Sequence, residues 1–379
     1  PHALVLDEPT SALDPAAAED VLAALQRIVH DLGMTVLMAE HRLERVVQFA
    51  DRIVHVSRDG SVSDGDPHAM LKETAVAPPV IELGRHLGWA PLPLSIREAR
   101  RFAQPVRERL AAATLPTPNS WPGQDLPARV TLTSLTASYA EHRVLREINL
   151  TVHPGEVVAI MGRNGAGKST LLRSMVGLTA PTAGRVRLGA DDPAQLSPRE
   201  RARRIGMVPQ EPSDLLWFDS VTAECQAADA DAGAAAGSAI ERFDMLAPGI
   251  AGTTHPRDLS EGQRLCLALA VIMTADAPLV LLDEPTRGLD YPTKRRLSQL
   301  LADRAANGCA VVLATHDVEL VAELTTRTVV LADGDVVADG PTHEVVLGSP
   351  QFAPQVAKVL APLPWLTVGQ VAAALPVAG

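Results

Sequence analysis

Residues 162–170 read GRNGAGKST, between an apolar run, Val157–Met161, and a stretch, Leu171–Val176, that continues as a helix. The pattern G-x-x-x-x-G-K-[ST] is met by Gly162, Gly167, Lys168 and Ser169, with Asn164, Gly165, Ala166 and Thr170 completing the loop. A buried strand, a glycine-rich turn and a helix in that order leave few folds open. Successive N–H groups of such a loop point inward and cradle phosphate oxygens, and glycines let the backbone approach them. The helix N-terminus adds a favourable dipole. The spacing therefore predicts a nucleotide loop, with Lys168 reaching the β- and γ-phosphates of ATP and Ser169 placing its hydroxyl on Mg²⁺.

A second apolar strand, Leu279–Leu282, ends in two carboxylates, Asp283 and Glu284. Ligands of open parallel sheets bind at the carboxyl ends of the strands. Asp283 is thus expected to hold the Mg²⁺ hydration shell and Glu284 to orient and polarise an attacking water.

The segment LSEGQR, Leu259–Arg264, lies between these two motifs. With it the chain resembles the nucleotide-binding subunits of ABC transporters, whose signature reads LSGGQ. The resemblance implies an α/β P-loop NTPase cassette with a RecA-like parallel sheet core, an antiparallel β-subdomain and a helical subdomain. It implies that Ser260, Gly262 and Gln263 contact ATP bound to an opposing cassette, while Glu261 departs from the usual glycine. It assigns adenine stacking to Tyr139, a Mg²⁺-joining and partner-facing loop to Gln210, the dimer loop to Asp290 and the γ-phosphate switch to His316. The family also places a helical subdomain between Gln210 and Ser260. Residues 227–239 of that stretch are rich in Ala and Gly, and are expected to form a poorly packed helix or a flexible loop.

The chain also repeats itself. LVLDEPTSALDP at residues 4–15 answers VLLDEPTRGLDY at residues 280–291, so that Asp7 and Asp283 stand 276 positions apart. AEHRLERVV around His41 answers ATHDVELVA around His316. PLSIREAR at 93–100 answers WLTVGQVA at 365–372, and each offers a helix-start capping box, Ser95-x-x-Glu98 and Thr367-x-x-Gln370. Such a period is a domain-sized duplication. The resemblance matches Asp7, Glu8, Asp14 and His41 to the metal carboxylate, the catalytic glutamate, the dimer-loop aspartate and the switch histidine. The phosphate loop, adenine aromatic, loop glutamine and signature have no first copy. The expected organisation is the back half of one cassette with its helical tail (1–110), a Pro-rich linker (111–127), a complete cassette (128–350) and a helical tail (351–379). The start at Pro1 and the first copy's missing front half lead us to expect a fragment of a longer chain.

The net charge of −11 argues against a nucleic-acid partner held by bulk charge. The longest apolar run, Leu265–Met273, is nine residues, too short to span a bilayer. Three widely spaced cysteines read as reduced thiols. Among ABC proteins, EHRLE around His41 and the two similar tails resemble the fused ATPases of energy-coupling-factor importers. That resemblance implies a peripheral ATPase on the cytoplasmic face of the cell membrane. It would drive integral membrane coupling subunits that import a small solute, a vitamin or a transition-metal ion such as cobalt, with a second cassette from the same chain or a homodimer. The alternatives are an ordinary ABC importer for peptide, sugar or siderophore, and a soluble twin-cassette protein acting on the ribosome.

Overall fold

The computed structural model describes residues 2–10, 13, 15–57, 60–74, 77–114, 123 and 125–376. Asp14 and most of the Pro-rich stretch after residue 114 lie outside the described residues. The chain divides into two compact units, one formed by the residues before 118 with 290–292 and those from 346 onward, the other by 118–289 and 293–345.

In the first unit, β1 (Ala3–Asp7) pairs in parallel with β2 (Thr35–Ala39), and the helix Pro15–Leu32 connects them. Strands β3 (Ile53–Val56) and β4 (Val62–Gly65) form an antiparallel hairpin. Both pairs keep apolar side chains in water, with Val5 72% and Val56 65% exposed. The unit's core lies instead among helices. Val80, Ile81 and Leu83 of the helix Pro79–His86, and Ala99, Ala103, Val106 and Leu110 of the helix Ile96–Ala111, pack with Val356, Val359, Leu360, Trp365 and Val371 from the other end of the chain. Polar ties run between the same segments. Val80 N–H donates to Gln355 Oε1 (3.0 Å), Arg107 Nη2 donates to Val359 O (2.7 Å), and His86 Nε2 lies 2.9 Å from Leu375 O. Both expected caps form. Ser95 Oγ accepts from Glu98 N–H, and Thr367 with Gln370 makes the full reciprocal box.

In the second unit, β5 (Val130–Tyr139), β6 (His142–Val152) and β8 (Ala183–Leu188) build an antiparallel sheet in the order β6-β5-β8. The main sheet runs β13-β12-β7-β11-β10-β9. Its strands are β7 (Val157–Met161), β9 (Ile205–Val208), β10 (Leu279–Asp283), β11 (Ala310–Ala314), β12 (Arg327–Ala332) and β13 (Asp335–Pro341), all parallel but for the β12–β13 hairpin. Strands β7, β10 and β11 are buried along their whole length, as apolar strands covered on both faces must be. Alternate residues serve two cores. Val157, Val280, Leu282, Val311 and Leu313 meet the helices 221–246 and 261–274, whereas Val158, Ile160, Leu281 and Val312 meet the antiparallel sheet.

Of the two forms expected for the Ala/Gly-rich stretch, helix is found on either side of a turn. Residues 227–232 end the helix Val221–Ala232, residues 238 and 239 begin the helix Ser238–Leu246, and 233–237 form the turn between them. Asp229 is the reason: it is buried, and its carboxylate accepts from Gly237 N–H (2.7 Å) and Ala239 N–H (2.9 Å), so one side chain closes the turn between them. Cys225 and Cys266 line the adjoining core, and Cys309 is buried too. Burial, with Asp229 and Glu224 nearby, pushes the Cys225 thiol up to about 12, and burial raises Cys309 as well. A thiol reagent at pH 8 is expected to label none of the three in the folded protein within minutes and all three after denaturation, read by absorbance titration. Among the described residues no helix is long and apolar enough to cross a membrane.

Candidate nucleotide site

The phosphate loop leaves β7 and enters the helix Lys168–Met175. Two glycines are dictated by geometry. Gly162 stands at φ +148° where a Cβ would fall 2.3 Å from Leu331 O, and Gly167 at φ +104° where it would fall 2.8 Å from the Leu145 side chain. Asn164 and Gly165 are exposed at the tip, while Ala166 and Thr170 are buried. Lys168 is buried, and its Nζ donates to Gly162 O (2.9 Å) and Arg163 O (3.3 Å), which holds the cation over the cradle. The loop therefore presents backbone donors and one ammonium to a concave face, an arrangement suited to a polyphosphate.

Asp283 ends β10 beside this loop. Its carboxyl is raised above the usual range by burial, opposed by a hydrogen bond from Ser169 and by the charge of Lys168. Its Oδ1 is buried with no hydrogen-bond partner. An orphaned carboxylate oxygen next to a serine hydroxyl fits a hard divalent cation that keeps several waters and takes its other ligands from phosphates. No cluster of three or more His, Cys, Asp or Glu side chains offers an all-protein metal cage among the described residues.

Glu284 is held in a strained conformation, at φ +53°. Its N–H donates to Ala314 O (2.8 Å) at the end of β11, and its carboxylate lies 2.8 Å from His316 Nδ1 and 3.4 Å from Thr315 Oγ1. The acid and the histidine are each about nine-tenths buried, so the pair faces the site in little water. Asp317 caps the next helix through Leu320 N–H and pairs with Lys294 Nζ (2.9 Å), which fixes the strand end carrying His316. Gln210 lies exposed two residues beyond β9, the neighbour of β10. Tyr139, at the end of β5, is 52% exposed, and its hydroxyl sits 3.4 Å from Thr179 Oγ1, a hydrogen bond that lowers its pKa. Its ring is open to a planar ligand.

The signature segment begins the helix Glu261–Thr274. Ser260 Oγ accepts from Gln263 N–H (3.3 Å) while Gln263 Oε1 accepts from Ser260 N–H (2.9 Å). Ser260 is exposed, Gln263 half-buried and Gly262 buried. A Cβ on Gly262 would stand 2.2 Å from Gly288 O, so this glycine keys the helix to the turn after Glu284. Asp290 is half-buried at the end of that turn. Sequence reasoning missed Arg287, which lies 2.6 Å from Glu261 and 3.0 Å from Glu211. Its only signal was an acid standing where a glycine was expected.

The first unit repeats part of this geometry. Registers β1–β2 and β10–β11 coincide, Ala3 facing Thr35 as Leu279 faces Ala310, and Asp7 facing Ala39 as Asp283 faces Ala314. Glu8 stands at φ +43°, donates its N–H to Ala39 O (2.9 Å) and lies 2.9 Å from His41 Nε2. Here the side chains are more open, His41 48% and Glu8 24% exposed.

Known proteins similar to this chain are ABC transporter proteins. The family model described as "ABC transporter" matches residues 145–287. An ABC transporter ATP-binding protein of Streptomyces coelicolor is 56% identical over 403 residues, covering 99% of this chain and 72% of its own length. One of Clostridium tetani is 28% identical, covering 95% of this chain and 82% of its own. Among solved structures, the dimeric bacterial ABC transporter cassette MJ0796 is 29% identical at a TM-score of 0.51, over 56% of this chain and 98% of that one. The cbiO1 protein of Clostridium perfringens, part of the ABC transporter complex cbiONQ, is 26% identical at a TM-score of 0.52, over 63% of this chain and 96% of that one. A phosphate loop, a buried Asp-Glu strand end and a capped signature helix on one sheet, with relatives of this identity and coverage, leave one conclusion: the chain belongs to the ATP-binding, ATP-hydrolysing proteins of ABC transporters.

Proposed function

We propose that the chain is the peripheral engine of an energy-coupling-factor type importer, working on the cytoplasmic face of the membrane with integral membrane subunits that take up a vitamin or a transition-metal ion. The observation that carries this reading is the doubled geometry of the acid–histidine pair, Glu284–His316 and Glu8–His41, at matching strand registers. It supports two cassettes in one chain. In the complete one, β7 lies between β11 and β12. Their first-unit counterparts, β2 and β3, sit in separate two-stranded sheets, and β7 has no counterpart among the described residues. Residues 1–110 are then the back half of a cassette that needs a phosphate-loop strand supplied from elsewhere. The similarity to cbiO1, itself part of a transporter complex, supports the importer class.

In this reading Tyr139 stacks on adenine, the loop 162–170 wraps the phosphates and Lys168 neutralises them. Ser169, Asp283 and Gln210 would hold Mg²⁺, which when bound shields charge on the phosphates. Glu284 accepts a hydrogen bond from the attacking water, and His316 fixes that carboxylate while facing the γ-phosphate. Ser260, Gly262 and Gln263 close over nucleotide on an opposing cassette, with Asp290 between the two. Trp217 (82% exposed) and Phe218 (46%) follow Gln210 closely and offer the membrane subunit an apolar landing.

In a polypeptide of residues 1–379 a phosphate loop and a signature occur only in the second cassette, so in that polypeptide two such cassettes from two chains meet to close a composite site. Turnover per chain is expected to rise with protein concentration and to fall about in proportion to it on dilution in the weak-pairing regime, as for any reversible dimer. A steady-state ATPase assay over a dilution series reads this. A per-chain rate that stays constant overturns the pairing. Recovery of the chain from detergent-solubilised membranes with integral subunits, and without ribosomes, tests the importer.

A further inference from the structure

Glu261 puts a carboxylate at the first position of the signature helix, beside the exposed Ser260. A helix N-terminus favours anions, and a carboxylate placed there fills the position that favours a phosphate and repels the phosphate itself. The side chain is answered locally. Arg287 Nε lies 2.6 Å from Glu261 Oε1, an ion pair rather than an aligned hydrogen bond. Arg287 Nη1 donates to Glu211 Oε1 at 3.0 Å. Glu211 directly follows Gln210, and Arg287 lies three residues past Glu284. One guanidinium, its side chain 24% exposed, thus joins the loop after Gln210, the signature helix and the turn leaving Glu284.

That turn is stiff. Arg287 N–H donates to Glu284 O (3.2 Å) and Leu289 N–H to Thr286 O (3.2 Å). Gly288, at φ +69°, lies so close to the helix that a Cβ on it would sit 3.0 Å from Gly262 N and 3.2 Å from Glu261 Cβ. A planar fork can hold two acids at fixed angles where an ammonium cannot. At the matching position of the first repeat stands Ser11.

We propose that Arg287 is a positioning residue for ATP turnover. It neutralises Glu261, so that the signature helix can accept a phosphate, and it ties that helix to the loop after Gln210. The inference rests on the reading of Ser260–Gln263 as the contact to an opposing cassette's nucleotide.

The test compares the full chain with Arg287→Ala, Arg287→Gln, Glu261→Gly and the double variant Glu261→Gly/Arg287→Ala, by steady-state ATPase against MgATP. Either Arg287 substitution is expected to raise KM about tenfold and to change kcat no more than about threefold, because a bare charge is left facing phosphate. The double variant is expected to return KM to within about twofold of the parent, since removing Glu261 removes what Arg287 answers. A merely structural arginine would not be rescued by a second deletion. Affinity for a fluorescent ADP analogue in dilute protein, which reports the phosphate loop alone, is expected to stay within about twofold and shows that each variant is folded. An unchanged KM in both Arg287 variants, or a double variant as impaired as the single, overturns the proposal. Lys168→Ala separates the two levels. Its loss of turnover upholds the nucleotide reading whatever Arg287 does, and full turnover without Lys168 overturns that reading and this proposal together.

Discussion

Glu284→Gln is expected to lower ATP turnover by about 10²–10⁴-fold with ATP binding retained. The substitution keeps the size of the side chain, so the backbone at φ +53° and the N–H bond to Ala314 O have no new reason to change. What it removes is the acceptor that can take a proton from water. The carboxylate sits 2.8 Å from His316 Nδ1 in a site about nine-tenths closed to solvent, where an amide holds the geometry but not the charge. Phosphate release is the readout for turnover, and equilibrium binding of a fluorescent ATP analogue for affinity. Glu8→Gln makes the informative comparison, because Glu8 occupies the same turn at φ +43°. A fall confined to Glu284→Gln places the chemistry in the cassette with the phosphate loop. Equal falls would show that the more open Glu8–His41 pair also works, and a Glu284 variant with full turnover would remove Glu284 from the mechanism.

The phosphate loop and the Asp283–Glu284 strand end were legible because each is local. Strand, turn and helix follow within about 20 residues of sequence, and the residue types are forced by backbone approach. Gly162 and Gly167 bear this out through the atoms a Cβ would strike. The order of Gln210, Ser260 and His316 was legible through family resemblance alone, since Gln210 and His316 follow β9 and β11, strands far apart in sequence, and Ser260 caps a helix rather than ending a strand. What escaped the sequence were side-chain pairings that no motif announces. Asp229 stands in an Ala/Gly-rich run that marks no contact for it, yet it is buried and closes the turn between two helices. Arg287 stands inside the repeated segment, which assigns it no role; its meaning lies in two acids brought to it by other elements. The tails at 93–100 and 365–372 announced that they resemble each other. Similarity carries no statement of packing, and that they share one core is a property of the fold.

Trp365→Ala is expected to destabilise that core by about 3–5 kcal/mol, the range for removing a large buried aromatic side chain. Trp365 is 1% exposed and packs in the cluster that holds Ile81, Leu83, Leu110 and Leu360. Two compact units make a single two-state transition a poor description of this chain, so the loss should appear as an earlier first transition with the later one unmoved. The polar ties sharpen the point. When the tail lets go, Val80 N–H loses Gln355, and His86 loses the carbonyl of Leu375. Each group then finds water, so these bonds add only about 1 kcal/mol apiece and the burial of the indole dominates. Trp217→Ala supplies the contrast, because an 82% exposed indole is expected to change stability by less than about 0.5 kcal/mol. Denaturant unfolding followed by tryptophan emission and by protection of bound nucleotide reads both. An early emission transition in Trp365→Ala with nucleotide protection intact is the expected result. Parallel loss of both signals would mean that the shared helical core and the nucleotide unit unfold together.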